Sequence, residues 1–337
     1  MIQLRRIGDV LMTTPTVAAL RGAFPQAHLA FLTEPPATTV LALDPNLDEV
    51  IPYSARASVA AHLRMALHLR RGRFDTVLDF FSNPRTAQLT WASGASRRIG
   101  FDFRGRRYAY TERVATPQGR HYAGKHKALL AGALGVSVED LRPRITLHQA
   151  HHDYADRQLY ELSVQPGELL VALSPVSRQR YRLWPAKRFA RIADVLIERY
   201  QARVLLMWGP GEEHFVDAVR LEMAHQALPS YPVPPLLEMA ALLERCHLYV
   251  GNDSGPRHIA IAVGTPTVTP FGRSHPENWT PPGLAGNAAV AYDPGCKAAC
   301  TWPRCDHLNC INGVEYKPVE AAVESLLEEL LAHDTPD

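Results

Sequence analysis

Three short stretches carry residues whose types and spacing could do chemistry. In Arg5-Arg6-Ile7-Gly8-Asp9-Val10-Leu11-Met12-Thr13-Thr14-Pro15, a strand of a few residues leads into a Gly-Asp turn and then an apolar helix. Asp9 therefore falls where a first strand ends and a helix begins, the edge that faces the ligand crevice of an open α/β sheet. Gly8 would let a ligand approach the backbone closely. Asp9 reads equally well as a catalytic carboxylate or as a helix N-cap. The second stretch runs from Ser174 to Pro185 and holds Ser177, Arg178, Arg180 and Arg182. Three guanidinium groups in five residues suit phosphate oxygens; the plainer reading is a solvated basic loop. The third is Gly251-Asn252-Asp253-Ser254-Gly255-Pro256-Arg257-His258. Small residues at a helix start leave free N–H groups and the positive end of the helix dipole for an anion. Ser254 and His258 are four apart and share a helix face. His258 is either a ligand contact there or a structural histidine.

Two further groups stand out. Gly209-Pro210-Gly211-Glu212-Glu213-His214 follows a strand but lacks the third small residue of the dinucleotide fingerprint. A carboxylate just after a strand suits ribose hydroxyls instead. Cys296, Cys300, Cys305 and Cys310 crowd into fifteen residues. Four thiolates could hold a structural Zn or Fe; a reduced packing cluster or disulfides are the alternatives. Cys246 stands alone in an apolar context and reads as a small hydrophobe. No P-loop, zincin helix or Gly-x-Ser-x-Gly elbow is present.

These stretches need a scaffold that presents loops at strand ends. Short apolar runs at 29–32, 76–80, 169–173, 204–207, 248–250 and 267–269 read as buried parallel strands. Helical patterns at 57–71, 185–200, 236–246 and 319–331 lie between and after them. Alternating β and α segments imply doubly wound α/β domains. A polar, His-rich stretch after Pro143, then Pro166-Gly167, marks a boundary. The expected division is 1–150, 167–317 and a C-terminal helix 318–337 that crosses back to the first domain.

The chain has 337 residues, 46% hydrophobic and 21% charged, enough for about two domains with sizeable cores. It has no apolar run long enough to span a bilayer, and its start lacks a signal peptide's apolar region. Cytoplasmic residence is the expectation. Net charge is +2, but residues 1–150 hold 20 Lys+Arg against 11 Asp+Glu, leaving 16 against 23 for the rest. The first half is thus expected to meet something anionic. Its densest run is 97–127, with nine basic residues against Asp102 and Glu112. It comes without a recognised nucleic-acid-binding fold, and salt-sensitive binding of this segment to an anionic membrane surface is an expectation tied to the lipid-linked acceptor implied by the resemblance below.

At these motifs the chain resembles glycosyltransferase family 9, the bacterial ADP-heptose:lipopolysaccharide heptosyltransferases. Gly-Asp-Val-Leu-x-Thr-x-Pro is matched at 8–15, a basic residue before x-Trp-Pro at Arg182, and Gly-Pro-Gly-Glu at 209–212. Asn-Asp-Ser-Gly-x-x-His is matched at 252–258, Gly-Thr-Pro at 264–266 and Phe-Gly-x-x-x-Pro at 271–276. The Arg-Arg-Ile-Gly-Asp form is similar to the heptosyltransferase III branch. The resemblance implies an α/β GT-B fold, two Rossmann-like doubly wound domains facing a central cleft. It implies inverting heptose transfer from ADP-heptose to the inner core of a lipid A–core acceptor, with no catalytic cofactor, on the inner face of the bacterial inner membrane. Carried across, Asp9 is the general base. Ser177, Arg182, Asp253, Ser254, Gly255 and His258 hold the donor diphosphate. Glu212, Glu213 and Met239 hold ribose and adenine, and Gly8, Arg97, Arg98 and Lys125 meet the acceptor. Arg182 stands where the family usually has Lys. Rival readings are a transferase for another sugar or a protein acceptor, a non-catalytic sugar-nucleotide-binding relative, and a nucleotide-dependent oxidoreductase or epimerase. The last needs a Gly-rich fingerprint that the chain lacks.

Overall fold

The computed structural model describes residues 1–54, 56, 58–296 and 300–333. The chain divides into two units, Met1–Thr146 and Leu147–Asp337. The His-rich stretch therefore opens the second unit rather than closing the first.

In the first unit the elements are α1 (Ile7–Leu11), α2 (Thr14–Ala23), β1 (Ala30–Thr33), α3 (Ala37–Leu41), β2 (Glu49–Pro52), α4 (Val59–Arg71), β3 (Thr76–Asp79), α5 (Pro84–Ala92), β4 (Arg97–Phe101), β5 (Glu112–Val114) and α6 (Ala123–Gly132). The opening residues lie between β1 and β3: Ile2 bridges both Leu32 and Asp79 in parallel. β1 pairs with β2, and β3–β4–β5 form a parallel run. Counting the opening segment as the first strand, the order is 3-2-1-4-5-6, the dinucleotide-fold order, whose switch point lies between its first and fourth strands. Ile2, Leu4, Leu32, Val77 and Leu89 form its core. Local signals agree with the helices: the Ser58 side chain caps α4, and Asn83 with Thr86 makes a reciprocal capping box at α5.

The second unit holds α7 (Gln149–Glu161), β6 (Leu170–Ser174), α8 (Ala186–Tyr200), β7 (Arg203–Leu206), α9 (Glu213–Arg220), α10 (Leu236–Glu244), β8 (Leu248–Gly251), α11 (Gly255–Val263), β9 (Thr267–Phe271), α12 (Pro276–Trp279), β10 (Asn287–Ala291), α13 (Asn309–Asn312) and α14 (Tyr316–His333). Its sheet runs β10-β9-β8-β6-β7, every pair parallel. β6 and β8 are buried along their whole length, as a doubly covered sheet requires. The switch point falls between β6 and β8, neighbours in the sheet that are not consecutive in the chain. α8 buries Phe189, Ile192, Ala193 and Leu196 on one face. α14, the helix expected to cross back to the first domain, packs on α8, β9 and β10 of this unit; positions 334–337 lie outside the described residues.

Candidate active site

The first unit places Asp9 just past the carboxyl end of the opening strand, at the switch point. The cap reading needs correction. The N-cap of α1 is Arg6, and Asp9 sits two residues inside the helix, in its first turn, half-buried. The same unit holds a buried polar group. Lys127 Nζ donates to Gln3 Oε1 at 2.6 Å and to the Phe80 carbonyl at 2.9 Å. Burial pulls this ammonium down to about 8, and the charges of Asp9 and Asp79 oppose the fall. Lys127 thus spends its donors on Gln3 and the Phe80 carbonyl, within range of the Asp9 charge. Asp79, at the end of β3, accepts from Ser82 N at 2.8 Å and Tyr110 Oη at 2.8 Å. Burial raises its carboxyl above the ordinary range.

Of the expected acceptor residues, Gly8 is buried in α1, and Lys125 is exposed in the first turn of α6. Arg97 and Arg98 stand at the amino end of β4, the edge away from the crevice. Arg97 makes a paired contact with Glu112. Arg98 donates to the carbonyls of Ala95 and Ala109. The structure therefore brings Gly8 and Lys125 to Asp9's edge and leaves the two arginines out. Lys127 is the residue that motif reading missed. Its signal is periodicity: it precedes Leu130 and Ala131 by three and four residues, which puts a lysine on the helix's buried face.

In the second unit the loops after β6 and β8 meet at the switch point. Asn252 joins them. Its Nδ2 donates to the Pro175 carbonyl at 2.8 Å, and its Oδ1 accepts from Trp184 N at 3.1 Å. Arg182 then reaches across, with Nη1 3.0 Å from the Asp253 carbonyl oxygen and 3.2 Å from its carboxylate. The same guanidinium lies 5.5 Å from the centre of the Trp279 ring. Arg182 Nε is buried and makes no hydrogen bond among the described residues. Ser254 is the N-cap of α11, and its side chain does not cap the helix. The N-terminal amides of Gly255 and Arg257 point outward from the helix start. Arg257 is fully buried and donates to Thr269 Oγ1, the Trp279 carbonyl and Thr280 Oγ1. The result is a corner in which the Arg182 guanidinium and a helix N-terminus suit an anion, while Arg257 is spent on its protein partners.

His258 lies in this corner but carries no charge. Burial, then Arg257 and Arg182, pull its imidazole down to about 3. It can serve an anion only as a neutral hydrogen-bonding group. Ser177 is buried and accepts from Gln179 N, which sets the turn that delivers Arg182. Glu212 is half-buried and spends one oxygen on Gly209 N at 3.1 Å. Glu213 is exposed, while Met239 is buried in α10 and offers a ligand little surface. Arg257, Asn252 and Trp279 were not singled out from sequence; the first two lie inside the motif, and Trp279 had no signal of its own.

The four clustered cysteines line one small cavity with Tyr181 and Arg273. Arg273 Nε donates to Cys300 Sγ at 3.2 Å. A backbone N–H at Trp302, with Arg273, holds that thiol below its ordinary range. No three metal-ligating side chains among the described residues stand at binding geometry.

A family model described as glycosyltransferase family 9 (heptosyltransferase) matches residues 62–300, well over half of the chain. The chain belongs to glycosyltransferase family 9. This family 9 transferase is 26% identical over 294 residues to lipopolysaccharide heptosyltransferase 3 of Escherichia coli, covering 82% of this chain and 84% of that one. Its fold is that of the glycosyl transferase family 9 structure from Veillonella parvula DSM 2008, with TM-score 0.83, 25% identity and 97% and 96% of the two chains covered. It also matches the E. coli ADP-heptose lps heptosyltransferase II with TM-score 0.78 and 18% identity over 99% of each chain. The two Rossmann-like domains of this transferase are those of the GT-B fold. The oxidoreductase reading is set aside.

Proposed function

We propose that this transferase moves heptose, with inversion, from ADP-heptose to the inner-core oligosaccharide of lipopolysaccharide. The observation that carries the reading is the Arg182–Asp253 junction at the α11 N-terminus. It offers the leaving diphosphate the Arg182 guanidinium and the positive end of a helix, a charge sink built from protein groups. Asp9 takes the proton of the acceptor hydroxyl as the new glycosidic bond forms. The ADP leaves as an anion that Arg182 and the helix end stabilise. Lys125, exposed in the first turn of α6, favours a phosphorylated acceptor. The heptosyltransferase relatives support this choice of sugar and acceptor.

The test is ADP release from ADP-heptose with and without deacylated core oligosaccharide, followed by mass spectrometry of the product. An acceptor-dependent gain of one heptose is the expected result. ADP-glucose or ADP-mannose outpacing ADP-heptose would overturn the sugar assignment. Binding of ADP-heptose with no turnover on any acceptor would make the protein a sugar-nucleotide binder.

No helix among the described residues is long and apolar enough to cross a membrane. Peripheral attachment to the cytoplasmic face of the inner membrane is the location this acceptor requires. For the cysteines we propose a structural role, bracing the loop before α14 against Tyr181. Their thiol donor set suits Zn or iron. Elemental analysis of freshly reduced protein that reads no metal would leave them as a packing cluster.

A further inference from the structure

α4 has an apolar ridge on the side away from its core contacts. Leu69 is buried, and Met65 and Ala66 pack on the same core. Val59, Leu63 and Leu67 recur every four residues and so line up along the helix. They are 77%, 58% and 54% exposed. Trp91, in the last turn of α5, is 59% exposed. It joins Leu63 and Leu67 around one open groove whose lining also includes Arg70 and Arg98. An aligned ridge of this kind is not a scatter of surface hydrophobes, and it marks an interaction surface.

The charges around it select the partner. Residues 54–96 hold six arginines against Asp75 and Asp79, and Asp79 is buried. Arg70 and Arg71 lie three and four residues beyond Leu67, on the ridge's own face. A second copy of the chain docking symmetrically on this face would set arginine against arginine. An anionic bilayer meets both halves of the pattern: aliphatic and indole side chains enter the acyl boundary while guanidinium groups stay at the phosphate level. The basic run 97–127 fits this role less well. Arg97 and Arg107 are paired with Glu112 and Asp102, and Lys127 is buried. We infer that the α4–α5 face docks this protein onto an anionic lipid surface, with Leu63, Leu67 and Trp91 inserted. The inference rests on the proposed function in one respect, that a lipid-linked acceptor gives the protein reason to sit at a membrane.

The full chain would be mixed with vesicles of phosphatidylcholine alone, and with vesicles that also contain phosphatidylglycerol, and then sedimented. Binding should require phosphatidylglycerol and weaken steeply with salt. Trp91 emission should shift to the blue and be quenched by brominated acyl chains, and Trp91→Phe should remove that part of the signal. Leu63→Ser with Leu67→Ser should lower partitioning at least tenfold. Arg70→Gln with Arg71→Gln should cost about fivefold per charge. All five substitutions are at exposed positions, and turnover on deacylated core oligosaccharide without lipid should be unchanged. Equal binding to neutral vesicles, or unaltered binding by the Leu63→Ser, Leu67→Ser protein, would overturn the inference. A dimer that the same pair of substitutions disperses, with no vesicle binding, would give the face to a second copy. Vesicle binding that follows the pattern above without heptose transfer to the soluble acceptor would overturn the proposed function and leave the docking face standing.

Discussion

At the scale of single residues, Asp9 and Lys127 form the unit to test. Asp9→Asn keeps the shape and removes the proton acceptor, so turnover should fall by about 10²–10⁴-fold with little change in ADP-heptose affinity. Near-normal transfer by a folded Asp9→Asn protein would sink the base assignment. Lys127→Met should leave the Gln3 side-chain carbonyl and the Phe80 carbonyl without their buried donor and lower stability by about 1–3 kcal/mol, read as a lower urea midpoint. An unchanged midpoint would show that those two bonds hold nothing in place. Arg182 is less clean than its motif suggests. It is the close partner of a buried carboxylate, so Arg182→Ala would strand Asp253 at a cost of about 3–5 kcal/mol. Arg182→Lys keeps a charge there, and it should weaken ADP binding without unfolding the domain. The motif positions of Asp9, Arg182 and Asp253 were legible because small residues and charges at strand ends have few structural uses. Lys127 and Arg257 were not, because a buried cation looks like a surface one until its partners are known.

At the scale of elements, the loops matter more than the strands they follow. Gly272 shows how tightly they are set. A methyl group there would run into the Tyr181 carbonyl oxygen, so Gly272→Ala must displace the turn that carries Arg182. We expect a several-fold loss of ADP affinity, read by calorimetry, in protein whose circular dichroism stays native. Unchanged affinity would show that the Tyr181 turn does not position Arg182. The long helices and the apolar strands were legible from periodicity. Four strands were not. β4 and β5 read Arg-Arg-Ile-Gly-Phe and Glu-Arg-Val, and their charges hid them inside a basic run. β2 is only Glu-Val-Ile-Pro, a two-residue apolar run that ends in proline, and β10 is Asn-Ala-Ala-Val-Ala, poor in strand-forming residues. With β4 in place, Arg97 and Arg98, expected at the acceptor, stand at the amino end of a strand.

At the scale of the whole molecule, two buried groups give stability an unusual pH dependence. His258 titrates near its ordinary 6.5 in the unfolded chain and at about 3 when folded. Between those values the unfolded chain holds a proton that the folded one refuses, so stability falls as pH drops from about 6.5 toward 3. Lys127 does the same between about 8 and 10.5, where its contribution to stability grows as pH rises. Urea midpoints measured against pH should show a shallower acid limb in His258→Gln than in the native chain. Parallel acid limbs would mean that the imidazole is protonated in the folded state.

The place of the opening residues in the first sheet has a consequence for synthesis. Ile2 donates to the Leu78 carbonyl and accepts from Phe80 N, while Leu32 N reaches back to the Met1 carbonyl. The middle strand is therefore made first and completed only when β3 has left the ribosome. At about 5–20 residues per second, the helix that carries Asp9 waits several seconds for the neighbour that fixes it. Until then Leu4, Val10 and Leu11, all buried in the finished fold, stand open to other nascent chains. Rare codons or a pause before residue 80 would lengthen that exposure, and slow translation of this stretch should lower soluble yield without altering the protein that does fold.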